Sequence, residues 1–347
     1  MNRVGRNSAH ELLRIVAMFL IVWYHLTGSY LYLVPHDSTY DYIVEATIPT
    51  LHIGVILFLL ISGYYGINPS VSGLLRLVLT VALYYLPLQF IELSDTGGWV
   101  HPRRVLSTLQ FITNTPYWFV RTYLFLYLVS PILNKFIHNA SDKTINLMLV
   151  ILGIISIYFG TTQGDPSLSD GKNVINFMFL YLMGYSIRTY KRSWESLRPI
   201  YIVSAFIVLN VLLIVSLSYF HRETNIGDLI WRYSFPYCSP TLLLNAVLIF
   251  ILFSKFTFHS SLVNSVAAST FAVYLIHCQP IINSFINHVI ASRVSINYPI
   301  DYLFIESALF AVVIMAGCII IDKLLNPLWK GVSSLCMKVE NKIFKYE

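Results

Sequence analysis

Charge is scarce in this chain. Only 12% of its 347 residues are Asp, Glu, Lys or Arg, about half of the roughly 25% that a soluble domain carries, so it cannot cover a water-facing surface. Cysteine is scarce as well. Cys238, Cys278, Cys318 and Cys336 fall in or beside apolar segments and show no C-x-x-C spacing, which excludes a cysteine-framed zinc module and predicts buried free thiols. No spacing of His, Cys, Asp or Glu argues for a metal site, and none is expected. Fixed-period repeats, heptads and low-complexity tracts are absent, and no loop is long enough to hold a separate folded domain. Solenoids, coiled coils and appended soluble modules are thereby set aside.

What the chain has is apolar length. It is 56% hydrophobic and 15% aromatic, with a mean hydropathy of +0.66. Ten stretches approach membrane length: residues 11–34, 50–66, 73–91, 117–137, 144–160, 173–187, 199–219, 237–256, 266–290 and 300–322. Two of them, 50–66 and 173–187, are short, and Pro280 predicts a kink or break in 266–290. Arg3 and Arg6 precede the first stretch, which lacks a cleavage pattern and is expected to stay as an anchor. If the N-terminus is cytoplasmic, sixteen of the 23 Lys and Arg fall on the inner side and six on the outer, with Arg121 inside the fourth stretch. That bias is the positive-inside pattern and accounts for the net charge of +6 without a nucleic-acid partner. The loop from Pro35 to Pro49 holds Asp37, Asp41 and Glu45 and no Lys or Arg, as suits the outer side. The expected fold is therefore all-α, a polytopic membrane protein of about ten helices with both termini cytoplasmic. Residues 1–324 form a single membrane domain, and 325–347 form an amphipathic tail along the inner surface.

Ionisable residues inside such stretches are expensive and face polar interiors or water-filled cavities. Arg14 and His25 share the first stretch. Eleven positions at about 100° each make roughly three turns, so both project from one helix face, about 16 Å apart along the axis. By depth, His25, Arg121, His277 and Glu306 fall in one layer on four different helices. Arg14 lies nearer the inner surface, level with Ser62 and Gly63. Each has a plainer explanation: Arg14 can snorkel, Arg121 and Glu306 can pair, His277 can bond a neighbouring helix, and Ser62-Gly63 can serve close helix packing. The remaining histidines, His10, His36, His52, His101, His138, His221, His259 and His288, sit mostly at expected ends or loops and are expected to be interfacial or solvated.

These residues also carry a family resemblance. Arg14-x10-His25 resembles the first-helix signature of the integral-membrane acyltransferase-3 family. Phe58-Leu-Leu-Ile-Ser62-Gly63-Tyr64 is similar to its aromatic-x-x-x-Ser-Gly-aromatic stretch. Tyr117-Trp118-Phe119, with Tyr127-Leu-Val-Ser-Pro131 after it, resembles its Trp-Phe helix, and Ala272-Val-Tyr274-Leu-Ile-His277 resembles its late Tyr-Leu-Ile-His helix. The resemblance implies transfer of an acyl group, usually acetyl, from cytoplasmic acyl-CoA to a hydroxyl of an exopolysaccharide or another cell-envelope glycan at a bacterial plasma membrane. His25 would be the general base and Arg14, with Ser62 and Gly63, the acyl-CoA site. Glu306 is placed beside His25 on depth alone, to orient it or stabilise its charge. Arg121 or His277 would bind the acceptor or stabilise an oxyanion. A covalent acyl-histidine and direct transfer both remain open. The competing class is a transporter or flippase for a glycan or lipid-linked substrate, since intramembrane Arg, His and Glu also line substrate paths.

Overall fold

A computed structural model describes residues 7–31, 44, 47–113, 117–162, 166–220, 224–294 and 302–344. His36, His221, Asp301, the acidic loop residues Asp37, Asp41 and Glu45, and the leading Arg3 and Arg6 lie outside the described residues. Within them all regular structure is helical. The helices run α1 (Ser8–Leu31), α2 (Gly54–Tyr65), α3 (Val71–Asp95), α4 (Pro102–Leu109), α5 (Trp118–Asn139) and α6 (Asp142–Thr162). They continue with α7 (Val174–Thr189), α8 (Lys191–Glu195), α9 (Pro199–Tyr219), α10 (Asn225–Arg232) and α11 (Pro240–Ser254). The last are α12 (Ser261–Ala267), α13 (Thr270–His277), α14 (Pro280–Val294), α15 (Leu303–Leu324) and α16 (Asn326–Phe344).

The chain is a multi-pass membrane protein; among the described residues, fewer than the ten expected stretches form helices of crossing length. Among the described residues, six helical stretches are long and apolar enough to cross a membrane, one of them the run Thr47–Tyr65 that ends in α2, or seven if the bent pair Ser261–His277 and Pro280–Ser292 is one span. The three other apolar stretches are helical and fall short for identifiable reasons. α5 has 22 residues but carries Arg121 and Lys135, while α7 has 16 residues and α11 has 15, below the roughly 20 needed to cross.

α1 is the hub, touching α2, α11, α12, α13, α14 and α15. α2 is apolar on every side, and such a helix belongs in the interior. Its Val55, Ile56, Leu57, Leu59, Leu60 and Ile61 are all buried, between α1 on one side and α7 on the other. α9 is equally apolar, yet Val208, Leu212 and Val215 are more than half exposed, which places it at the rim of the helix bundle. The α2–α7 crossing depends on two glycines. A methyl group on Gly63 would run into the Tyr181 carbonyl, and one on Gly184 into the Leu60 carbonyl. At the C-terminal end α16 packs against α3, where Tyr84 Oη and Trp329 Nε1 both donate to Asp322 Oδ1, at 2.7 and 3.1 Å.

The interruption at Pro280 is a break. α12–α13 and α14 meet at 79°, because proline cannot donate to the preceding turn. Gln279, fully buried, takes over that role: its Oε1 accepts from the backbone N–H groups of Ile281 and Ile282, at 2.7 and 3.0 Å. This polar cap lets a helix start inside the protein. It also leaves His277 and Cys278 at the elbow.

Candidate active site

A cavity of about 890 Å³ opens between α1, α2, α5, α13 and α14. The stripe Arg14, Met18, Ile21 and His25 forms its α1 wall, with the i, i+4, i+7, i+11 spacing that one helix face requires. The two polar members of that face thus stand on one cavity. Arg14 is anchored by Glu11 Oε2 at 3.5 Å, and its side chain keeps 35% of its surface accessible. It can therefore still reach a ligand.

The deeper end is a chain of hydrogen bonds. His25 Nδ1 lies 3.0 Å from His277 Nε2, and His277 Nδ1 lies 2.7 Å from the Val273 carbonyl. A carbonyl can only accept, so His277 carries a proton on Nδ1 and, as a neutral imidazole, presents a lone pair at Nε2. His25 must then donate from Nδ1, which leaves the lone pair of His25 on Nε2. Cys278 Sγ completes the group, 3.3 Å from His277 Nε2 and 3.7 Å from His25 Nδ1. His25 and Cys278 line the cavity, while His277 is buried behind them. Tyr117, first in the Tyr-Trp-Phe run and the residue just before α5, fixes the elbow by donating its hydroxyl to the Leu275 carbonyl at 2.7 Å.

Above the histidines the walls are aromatic. His52 donates from Nδ1 to the Phe235 carbonyl at 2.9 Å and packs between Tyr24 and Tyr237, with ring centroids 4.4 and 4.0 Å away. Trp118 lies beside Tyr237 at 5.2 Å. Asn283, Ser284 and Asn287 on α14 add polar groups to the same cavity.

The expected site residues divide accordingly. His25 and His277 are in direct contact, and Arg14 and Ser62 share the cavity with His25. Gly63 faces the other way, against α7. Arg121 is exposed and donates to the Thr113 carbonyl at 3.1 Å. Glu306 is half-buried on α15 and lies outside the cavity lining; its neighbour Ser307 accepts from Trp23 Nε1 at 3.0 Å. Depth along an axis was their only argument, and depth says nothing of which way a helix face points. Two histidines depart from the interfacial expectation. His52 lines the cavity, and His10 is buried, bonded to Tyr65 Oη at 2.7 Å and Ser254 Oγ at 2.8 Å. His101, His138, His259 and His288 are exposed. Cys278 was legible only as the neighbour of His277; His52, at the start of its stretch, was legible only as level with His25.

The family model described as an acyltransferase domain matches residues 7–323, nearly the whole chain. The chain belongs to the acyltransferase-3 family. It is thus a membrane acyltransferase, and the match takes in every wall of the cavity, from Arg14 to Asn287. Among curated proteins and solved structures, none matches the chain. The acyltransferase must bring an activated acyl group and a nucleophilic acceptor together, and the cavity joins a cationic end, a histidine pair and an aromatic wall in one space.

Proposed function

We propose that this acyltransferase moves an acetyl group from acetyl-CoA to a hydroxyl of an exopolysaccharide or other envelope glycan, at the plasma membrane of a bacterium. The observation that supports it best is the single cavity running from Arg14 to His25. CoA is a cytoplasmic polyanion, so Arg14 marks the cytoplasmic mouth and binds its phosphates. The span from Arg14 to His25, roughly 16 Å along the helix, is about the length of an extended pantetheine arm, and it carries the thioester to the histidine pair. The acceptor's sugar ring stacks on the aromatic wall of Trp118, Tyr237 and Tyr24, with Asn283 and Asn287 bonding its hydroxyls.

In the transfer, His25 Nε2 removes the proton from the acceptor hydroxyl as its oxygen attacks the thioester carbonyl. The carbon–sulfur bond breaks and the departing CoA sulfur takes that proton back, giving the ester and free CoA. While His25 carries the extra proton, its Nδ1–H bond to His277 Nε2 becomes charge-assisted and stronger. His277 is thus a positioning residue: it holds the His25 ring in the tautomer that leaves Nε2 basic. Arg121, Glu306 and Gly63 do not line the cavity, and this step does not use them.

Donor and base separate kinetically. Arg14→Ala is expected to raise KM for acetyl-CoA by about ten- to a hundredfold, the equivalent of roughly 1.5–3 kcal/mol for a bond to a charged group, with kcat little changed. Initial rates across donor concentration measure this, and an unchanged KM would remove Arg14 from the donor site.

A further inference from the structure

Three ligand atoms meet at the elbow between α13 and α14, and the proposed acyl transfer uses only two of them. His25 Nδ1, His277 Nε2 and Cys278 Sγ are separated by 3.0, 3.3 and 3.7 Å. A tetrahedral zinc ion with bonds of about 2.0–2.1 Å to nitrogen and 2.3 Å to sulfur needs neighbouring ligands roughly 3.3 Å apart for two nitrogens and 3.6 Å for nitrogen and sulfur. The trio is within a few tenths of an ångström of that figure. His277 already has the outer support of a metal-bound imidazole, with its far N–H held by the Val273 carbonyl and its Nε2 lone pair turned to the other two ligands. His25 and Cys278 line the cavity, so an ion reaches them from there. The donor set, two imidazoles and a thiolate, suits zinc or cadmium over magnesium or calcium.

We propose that His25, His277 and Cys278 form a binding site for a soft divalent cation of the zinc class, and that its occupation switches acyl transfer off. Binding displaces the thiol proton of Cys278 to solvent and forms the metal–sulfur bond. It also takes the Nδ1 lone pair of His25, so the proton there moves to Nε2, and the nitrogen that accepts the acceptor's proton no longer can. His277 needs no change. The three side chains leave the fourth tetrahedral position open toward the cavity. Inhibition rests on the proposed role of His25; binding does not.

The test is titration of the purified full chain in detergent with cadmium, read by thiolate-to-cadmium absorption in the near ultraviolet. About one equivalent per chain is expected. The band is lost in Cys278→Ser, kept in Cys238→Ser and Cys336→Ser, and weakened at least tenfold in apparent affinity in His277→Ala. Absence of the band in wild type, or its survival in Cys278→Ser, overturns the site while leaving the acyltransferase reading untouched. Zinc at saturating concentration is then expected to lower the transfer rate at least tenfold, reversibly on chelation. An unchanged or faster rate in zinc-loaded protein overturns the switch.

Discussion

At the scale of single residues, the proposed catalysis depends on which nitrogen of His25 is free. The Val273 carbonyl fixes the tautomer of His277, and His277 in turn fixes that of His25. Removing His277 should leave the base present but unguided. His277→Ala is expected to lower kcat about 10- to 100-fold with KM for acetyl-CoA unchanged, less than the roughly 10²–10⁴-fold that a general base itself contributes. His277→Gln, which can still accept at the same place, should recover part of that loss. A merely structural role would move KM and stability together and show no such rescue. Arg14 and His25 were legible in the sequence because one helix carries both, and helical geometry alone puts positions 14 and 25 on one face. The pairing of His25 with His277 joins residues 252 apart. Depth brought them to one level, but contact came from the rotation of two helices that no local pattern encodes.

At the scale of elements, two devices hold the site. One is the elbow, where Pro280 ends a turn and Gln279 caps the next helix, so that His277 and Cys278 face α1. The proline was readable in advance; the 79° angle was not, because it depends on how α14 packs back along α1. The other is the α2–α7 crossing. Ser62 and Gly63 are adjacent in sequence and serve opposite walls, Ser62 on the cavity and Gly63 against α7. Gly63→Ala should cost about 1–3 kcal/mol, as overpacking of a close contact does, seen as a lower midpoint of thermal unfolding in detergent. Ser62→Ala should change stability by no more than about 0.5 kcal/mol and leave that midpoint nearly where it was, as a substitution that opens no packing fault does. Equal effects from the two would contradict the division of labour between them.

At the scale of the whole molecule, composition was the most legible feature, since a chain with 12% charge must bury its surface in lipid. The number of long spans was less legible. Hydropathy marks α5, α7 and α11 as apolar, yet α7 and α11 are too short to cross alone and α5 is interrupted by charge. Helices of that kind are used inside the protein, where Phe177, Leu180 and Leu242 are fully buried. Of the three only α5 lines the cavity, through Trp118, Phe119 and Tyr123; α7 packs behind α2, and α11 packs against α1 and α2. The resulting molecule has a cationic mouth and an aromatic far wall joined through a histidine pair. That geometry suits a donor and an acceptor arriving from different directions. The most direct test is transfer of label from radiolabelled acetyl-CoA in sealed inside-out membrane vesicles that carry glycan acceptor, comparing wild type with His25→Ala. Labelled glycan is expected with wild type and at least a hundredfold less with His25→Ala at equal protein level. Equal labelling by the two would contradict a general-base role for His25.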